Sequence, residues 1–288
     1  MERIEDLSKQ RSSTDRRMGY VWMIVPVLPI VVGIGLAFGF VGVLVSVLPK
    51  VTNFQQPQSA LPVMGEILAL YGLGIASFYI ILAMGAFAIY YMIERRNRHF
   101  RRQEELFWTL QKYLASKIGP EAGDDAFRLE RLAEQSIFEE GDRPAGPWSV
   151  LYIFVTPIVG LIVAYNLTQD LRKHEELQSS YHSTLLNALN ESGGTTQVTL
   201  ANPRVHKRDP VLLLILTAIT AGIFWIYWFY ILLKDYNEHF QDQAHFEDQI
   251  LALLKPPTLT RNCATCGGAV PEGAKFCPHC GRQQVPVS

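Results

Sequence analysis

The chain has 288 residues, of which 49% are hydrophobic and only 18% charged, where a soluble domain carries about a quarter charged. Its net charge of −1 supplies no global basic field, which argues against a general nucleic-acid binder. All four cysteines fall within 263–280, so none remains elsewhere to build a secreted disulfide framework.

Charged residues avoid four windows, 18–49, 67–93, 144–169 and 210–233. A helix needs about 20 apolar residues to cross a bilayer core, and a charge at its centre costs several kcal/mol. Each window is long enough. The pattern predicts an all-α integral membrane protein with about four transmembrane helices and helical juxtamembrane extensions, followed by a small C-terminal module that holds the four cysteines.

In chain order, 1–17 is a polar cytoplasmic segment. Residues 18–118 form a transmembrane hairpin with a helical extension. Its first helix runs from about Met18 to Pro49, bent by Pro26 and Pro29, and carries the small-xxx-small pair Gly35 and Gly39. Its second helix starts near Ile67 and continues through the basic run from Arg95 to Arg102 to about Ser116, because no glycine or proline interrupts it before Gly119. Residues 119–147 form a cytoplasmic linker with a helix at 122–139. Residues 148–254 form a second transmembrane pair with helical extensions, kinked at Pro157; whether 210–233 spans fully or bends at Gly222 is left open. A linker at 255–261 leads to the cysteine module at 262–288.

The distribution of Lys and Arg sets the orientation. Arg11, Arg16, Arg17, the arginines after the second window, and Arg128, Arg131 and Arg143 fall on one side. Lys50, Arg172, Lys173, Arg204, Lys207 and Arg208 fall on the other. The balance predicts a multi-pass plasma-membrane protein with both termini cytoplasmic, although Arg204, Lys207 and Arg208 run against it locally.

The ends of the second, third and fourth windows repeat. Tyr90, His99 and Gln103 match Tyr165, His174 and Gln178, and again Tyr230, His239 and Gln243. Asp170 and Asp235 share a position that Arg95 holds in the first copy. Such matches at fixed spacing indicate a duplicated helical unit. Beyond each histidine the seam steps by four and three: Leu106, Leu110 and Tyr113; Tyr181, Leu185 and Ala188; Phe246, Ile250 and Leu253. That rhythm is a coiled-coil seam. Alternating topology places His174 across the membrane from His99 and His239, so these histidines read as helix-packing residues rather than metal ligands.

Thr217 to Tyr230, with Trp225, Tyr227 and Trp228, is followed by Lys234, Asp235 and Asn237. Earlier, Ile162, Val163, Ala164 and Tyr165 are followed by Gln169 and Asp170. These stretches resemble a prokaryotic membrane family known as domain of unknown function 4234, over roughly 148–245 and more loosely over 67–103. Phe224 stands where that family has tyrosine. The resemblance implies a membrane fold and no activity. The aromatic residues read as packing or interfacial-belt residues.

The sharpest chemical signal is Cys263-x-x-Cys266-Gly267 and Cys277-x-x-Cys280-Gly281. Two residues between thiolates let both face one ion from a tight turn, and four thiolates close a tetrahedral shell. The expected cofactor is one structural Zn²⁺ held by Cys263, Cys266, Cys277 and Cys280. Too few residues surround it to bury a core, so metal binding and folding are coupled. The stretch from Gly268 to Phe276 resembles the hairpin of the common prokaryotic zinc-ribbon domain, and on that likeness 262–288 is read as a small C-terminal zinc ribbon. Phe276 is expected beside the metal, and His279 toward solvent.

No enzyme constellation is visible: no nucleophile elbow, phosphate-binding glycine loop or HExxH. Asp124 and Asp125 read as a helix start. The chain is therefore read as a non-enzyme, a membrane-anchored scaffold or adaptor whose cytosolic helices and ribbon bind a protein partner or a second copy. The alternative is a subunit of a transport or channel assembly, with polar lining from Ser77, Thr156, Asn166 and Thr217. The lipid bilayer is the other partner; no small-molecule substrate is identified.

Overall fold

The structure is a computed structural model that describes residues 1–52, 60–118, 123–191, 207–254, 260–271 and 274–283. It is helical apart from two three-residue strands near the C-terminus. A short amphipathic helix α1 (Glu2–Lys9) and one turn α2 (Arg11–Thr14) open the chain. A 3-10 turn (Tyr20–Met23) leads into α3 (Ile24–Thr52). Then come α4 (Ala60–Ile118) and α5 (Gly123–Glu139). The pairs α6 (Ala145–Phe154) with α7 (Ile158–Glu191) and α8 (Pro210–Ile219) with α9 (Phe224–Leu254) complete the base.

Helices α3 and α4 are long and apolar enough to cross a membrane. Val31, Phe38 and Val45 on α3, and Leu68, Tyr71 and Leu73 on α4, are exposed. Helix α4 then changes character. Past Ala88 it turns the same register inward, burying Ile89, Met92, Ile93, Phe100, Leu106 and Leu110. Over its 59 residues it reaches about 90 Å at 1.5 Å per residue, three times a bilayer core.

The third and fourth charge-free windows are not single straight helices. Helix α6 stops at Phe154, and the chain turns through Val155, Thr156 and the cis Thr156–Pro157 bond before α7 starts. Helix α8 is started by Pro210 and the Asp209 carboxylate, which accepts from the Val211 amide at 2.8 Å. It ends at Thr220, and Ala221 and Gly222 turn the chain at φ 49° and 92°, the left-handed region that glycine adopts freely.

Both breaks sit midway between paired charges. Arg143, ahead of α6, donates two hydrogen bonds to Asp170 on α7, the longer 2.6 Å. Arg208, ahead of α8, does the same to Asp235 on α9 at 2.6 and 3.2 Å. The partners are 27 residues apart in both cases. An antiparallel pair of arms of about 13 residues extends about 20 Å before returning. Each window therefore comes back to the level where it began. The expected four spanning helices reduce to two helices of spanning length and two short helical hairpins, and His174 is not separated from His99 and His239 but lies among them.

Two apolar cores stack along α4, α7 and α9. The first joins Ile89 and Met92 to Val163, Leu167 and Leu171 and to Trp228, Leu232 and Tyr236. Its polar atoms are paired: Trp228 donates to the Thr168 hydroxyl at 3.0 Å and Tyr236 to the Leu167 carbonyl at 3.0 Å. The second is the predicted seam. Leu106 and Leu110 meet Tyr181, Leu185 and Ala188, and Phe246 and Ile250, and Ile4 and Leu7 of α1 with Leu129 and Ala133 of α5 close it. Fully burying one such aliphatic side chain contributes about 1.5–3 kcal/mol. The seam thus packs within one chain; only its ends, Tyr113 and Leu253, remain partly or largely exposed. Between the two cores lies a buried polar layer.

The C-terminal module is a hairpin of β1 (Thr260–Asn262) and β2 (Ala269–Pro271), antiparallel, with Arg261 opposite Val270. A single bridge pairs Phe276 with Gln283.

Candidate metal centres

Two clusters bring ligand-capable side chains within 4.8 Å of one another: Cys263, Cys266, Cys277 and Cys280, and separately His99, His174 and His239.

The cysteine cluster follows from two matching turns. The Gly267 amide donates to the Cys263 carbonyl at 2.8 Å, and the Gly281 amide to the Cys277 carbonyl at 2.9 Å. Gly267 and Gly281 sit at φ 70° and 68°, which an L side chain resists. The Cys263 amide donates to the Gly268 carbonyl and that of Cys277 to Arg282, both at 2.8 Å, so each turn closes on itself. The sulfurs of Cys263 and Cys280 lie 3.8 Å apart and those of Cys266 and Cys277 3.7 Å apart. Tetrahedral zinc with sulfur at about 2.3 Å separates its ligands by about 3.8 Å. The four cysteines can therefore hold one metal ion, and their spacing suits zinc.

Val270 and the buried pair Cys263 and Cys277 form the small core of this module, with Ala274 against it. Phe276 does not join them; it is 58% exposed. Cys277 points inward from an extended segment bridged to Gln283, so the residue before it must point outward. His279 is exposed, as expected, and lies over Gly268, where a Cβ would come within 2.6 Å of its ring.

The histidine cluster occupies the polar layer between the two cores. His99 on α4, His174 on α7 and His239 on α9 are 0%, 0% and 1% exposed. Their ring centroids are 5.4, 4.9 and 4.9 Å apart with interplanar angles of 76°, 83° and 76°. The near-equal values describe a three-bladed, approximately three-fold arrangement. Every Nδ1 meets a carboxylate: His99 with Asp15 at 3.0 Å, His174 with Glu140 at 2.8 Å and His239 with Glu175 at 2.6 Å. A carboxylate accepts, so each Nδ1 carries a proton and each Nε2 is turned toward the cluster. The Nε2 atoms of His99 and His239 face each other at 3.0 Å, and that of His174 is buried without a hydrogen-bond partner. Burial lowers the His99 pKa to about 3 against the opposing pull of Asp15, which keeps the ring neutral.

The repeat is cyclic in space. Phe100, following His99, stacks on His174 at 4.2 Å, and Phe240, following His239, covers His99 at 4.5 Å. In the second copy the following residue is Glu175, which holds His239. Two residues before the histidine, Asn97 clamps both backbone groups of Arg143 at 2.8 and 3.1 Å. Asn237 clamps those of Met18 at 2.8 and 3.0 Å. These two copies thus each fasten the chain that enters another copy; the second copy has Arg172 at this position.

Around this centre most charges are paired, while buried Arg95 donates to the Asn237 amide oxygen at 3.1 Å. Arg102 bridges Asp15 at 2.7 Å and Glu247 at 2.9 Å. Gln103 and Gln243 donate their amides to Glu247 at 2.7 and 3.0 Å. Arg96 lies 3.1 Å from Asp170.

Sequence reasoning found the three histidines and the three glutamines but read them as packing residues. It missed Asp15, Glu140 and Glu175 as their partners, because these come from different elements at unequal spacing. A usable signal was present: Arg143, Asp170, His174 and Gln178 recur as Arg208, Asp235, His239 and Gln243 at identical spacing. Of the candidate pore residues, Thr217 donates its hydroxyl to the Leu213 carbonyl within its own helix. Trp225, Tyr227, Trp228 and Tyr230 form no ligand cage, since Trp228 is fully buried and Tyr230 stacks on Tyr20.

Among the described residues, fold and sites together define a helical protein with two helices of membrane-spanning length and a four-cysteine cluster that can hold one metal ion. No family profile, curated protein or solved structure matches the chain.

Proposed function

We propose that this chain is a membrane-anchored adaptor whose C-terminal zinc ribbon docks a cytosolic protein partner. Helices α3 and α4 cross the plasma membrane, and the hairpins α6–α7 and α8–α9 enter it partway from the cytoplasmic side. Charge supports this arrangement. Arg204, Lys207 and Arg208, which conflict with a four-span topology, then fall on the same side as the other arginines and leave Lys50 as the main exception. The arm length of about 20 Å, against about 30 Å of hydrocarbon, supports partial entry. The resemblance to domain of unknown function 4234 agrees with a membrane base and adds no activity.

The observation that carries the docking role is the ribbon's construction. Its cysteines close on a structural ion, which spends the metal on folding, while Phe276 remains 58% exposed beside them. An exposed aromatic on a rigid knuckle is the kind of anchor that protein interfaces use. The helical part of the chain buries two apolar cores with a polar layer between them.

The test is in-cell crosslinking followed by gentle solubilisation, comparing the intact protein with Phe276→Ala and with Cys263→Ser, Cys266→Ser inserted at equal levels. The adaptor reading expects a defined cytosolic protein, crosslinked through the ribbon and lost in both variants. Recovery of only membrane proteins, unaffected by either variant, would contradict it and favour a subunit of a transport or channel assembly.

A further inference from the structure

We propose that His99, His174 and His239 form a second metal site, which binds one divalent first-row transition ion through three neutral imidazoles. The site goes beyond the adaptor reading and stands independently of it.

Three observations carry it. The first is the second shell. Metal-ligating histidines almost always donate the other ring N–H to a carboxylate or carbonyl, which fixes tautomer and ring orientation. Here all three do so, to Asp15, Glu140 and Glu175. Packing alone has no need for three carboxylates, each spent on the nitrogen that faces away from the cluster.

The second is the confrontation of lone pairs. With each Nδ1–H committed, the Nε2 atoms of His99 and His239 meet at 3.0 Å as two acceptors unless a further proton is shared between them. The Nε2 of His174 is buried with no donor to satisfy it. A buried acceptor left unmatched is unfavourable, and a cation among them removes that cost. Zinc with nitrogen at about 2.0–2.1 Å sets its ligand nitrogens about 3.3 Å apart, a spacing reached by small rotations of rings already within 4.8 Å.

The third is the layer one helical turn further out. The side-chain oxygens of Gln103 and Gln243 are buried without partners, although their amides both donate to Glu247. Three imidazoles leave a fourth tetrahedral position open. A metal-bound water there has two unmatched acceptors within one turn of the ligands.

The three ligands come one each from α4, α7 and α9, at the junction of the two cores. Complete burial denies substrate access, so the ion acts as a clamp on the three repeated helices. Imidazoles also distinguish the site chemically from the thiolates of the ribbon.

The experiment uses the full chain in detergent, equilibrated with Zn²⁺ and freed of excess, with metal counted per chain by elemental analysis. Intact protein is expected to hold two zinc ions, Cys263→Ser, Cys266→Ser one, and that variant carrying His174→Asn as well none. Asparagine can still donate to Glu140 but offers no second nitrogen. Cobalt(II) in the cysteine variant should show d–d bands without thiolate charge transfer. Glu140→Gln should weaken binding about 10–100-fold. Helix content by circular dichroism confirms that each variant is folded. One zinc in the intact protein, or none in a folded cysteine variant, overturns the proposal and assigns the cluster to a shared proton. If His174→Asn does not fold, the cobalt spectrum and the Glu140→Gln affinity decide alone.

Discussion

Asp170→Ala and Asp235→Ala remove the same residue from two copies of one repeat, yet they should differ in cost. Asp170 accepts from Arg143 and lies 3.1 Å from Arg96, whose side chain is 1% exposed. Its loss strands a fully buried guanidinium, and breaking a buried pair from one side costs about 3–5 kcal/mol. The Arg96 side chain keeps only its bonds to the Gly141 carbonyl at 2.6 Å and to Asn97. Asp235 holds only Arg208, whose side chain is 20% exposed and can turn to water. A hydrogen bond to a charged group contributes about 1.5–3 kcal/mol, and the value here belongs at or below the lower end. At about 2–4 °C per kcal/mol, Asp170→Ala should lower the melting temperature by roughly 10 °C and Asp235→Ala by a few degrees. Thermal unfolding in detergent, followed by tryptophan fluorescence, reads both, because Trp228 sits in the adjoining core. Equal small shifts would refute the buried network around Arg96.

Further expectations follow from close contacts and from metal removal. Gly85→Ala sets a Cβ 2.4 Å from the Tyr152 ring, so it should destabilise the base by about 1–3 kcal/mol in thermal unfolding, and Tyr152→Ala in the same chain should recover part of the loss. Chelation of the ribbon ion should unfold only the ribbon, seen as rising thiol reactivity of Cys263 and Cys277 with the helical signal unchanged. Asn97→Ala removes both bonds to the Arg143 backbone and should cost about 1–3 kcal/mol, read in the same melting assay.

The sequence made the seam legible because its four-three rhythm depends only on local spacing; Leu106, Leu110, Tyr181, Leu185, Phe246 and Ile250 are all buried in one core. The cysteine knuckles were legible for the same reason. The hairpin at Pro157 was not, and the bend at Gly222 stayed an open alternative. A window of about 25 apolar residues satisfies the length rule whether it crosses a bilayer or turns back halfway. Pro157 and Gly222 marked both turns, but a proline or glycine also fits a kinked span. What decides is the pairing of Arg143 with Asp170 and of Arg208 with Asp235, a long-range contact. The error propagated, because alternating spans forced His174 away from its two counterparts and made a three-histidine cluster look impossible. The misplaced Phe276 had a simpler cause, the two-residue alternation of an extended segment.

The central claim is that the repeated helix ends gather on one side of the membrane, and labelling of single introduced cysteines tests it most directly. Ser192→Cys lies between the two hairpins, and Gln58→Cys between α3 and α4. An impermeant maleimide, applied to intact cells and to inverted vesicles, is followed by mass mapping of the labelled peptide. The expected result is that the cysteine introduced at 58 labels only from outside, and that at 192 only in inverted vesicles, as do the ribbon cysteines once their ion is chelated. Labelling of position 192 from outside would restore four spans, separate His174 from His99 and His239, and contradict the fold, the polar layer and the second metal site together.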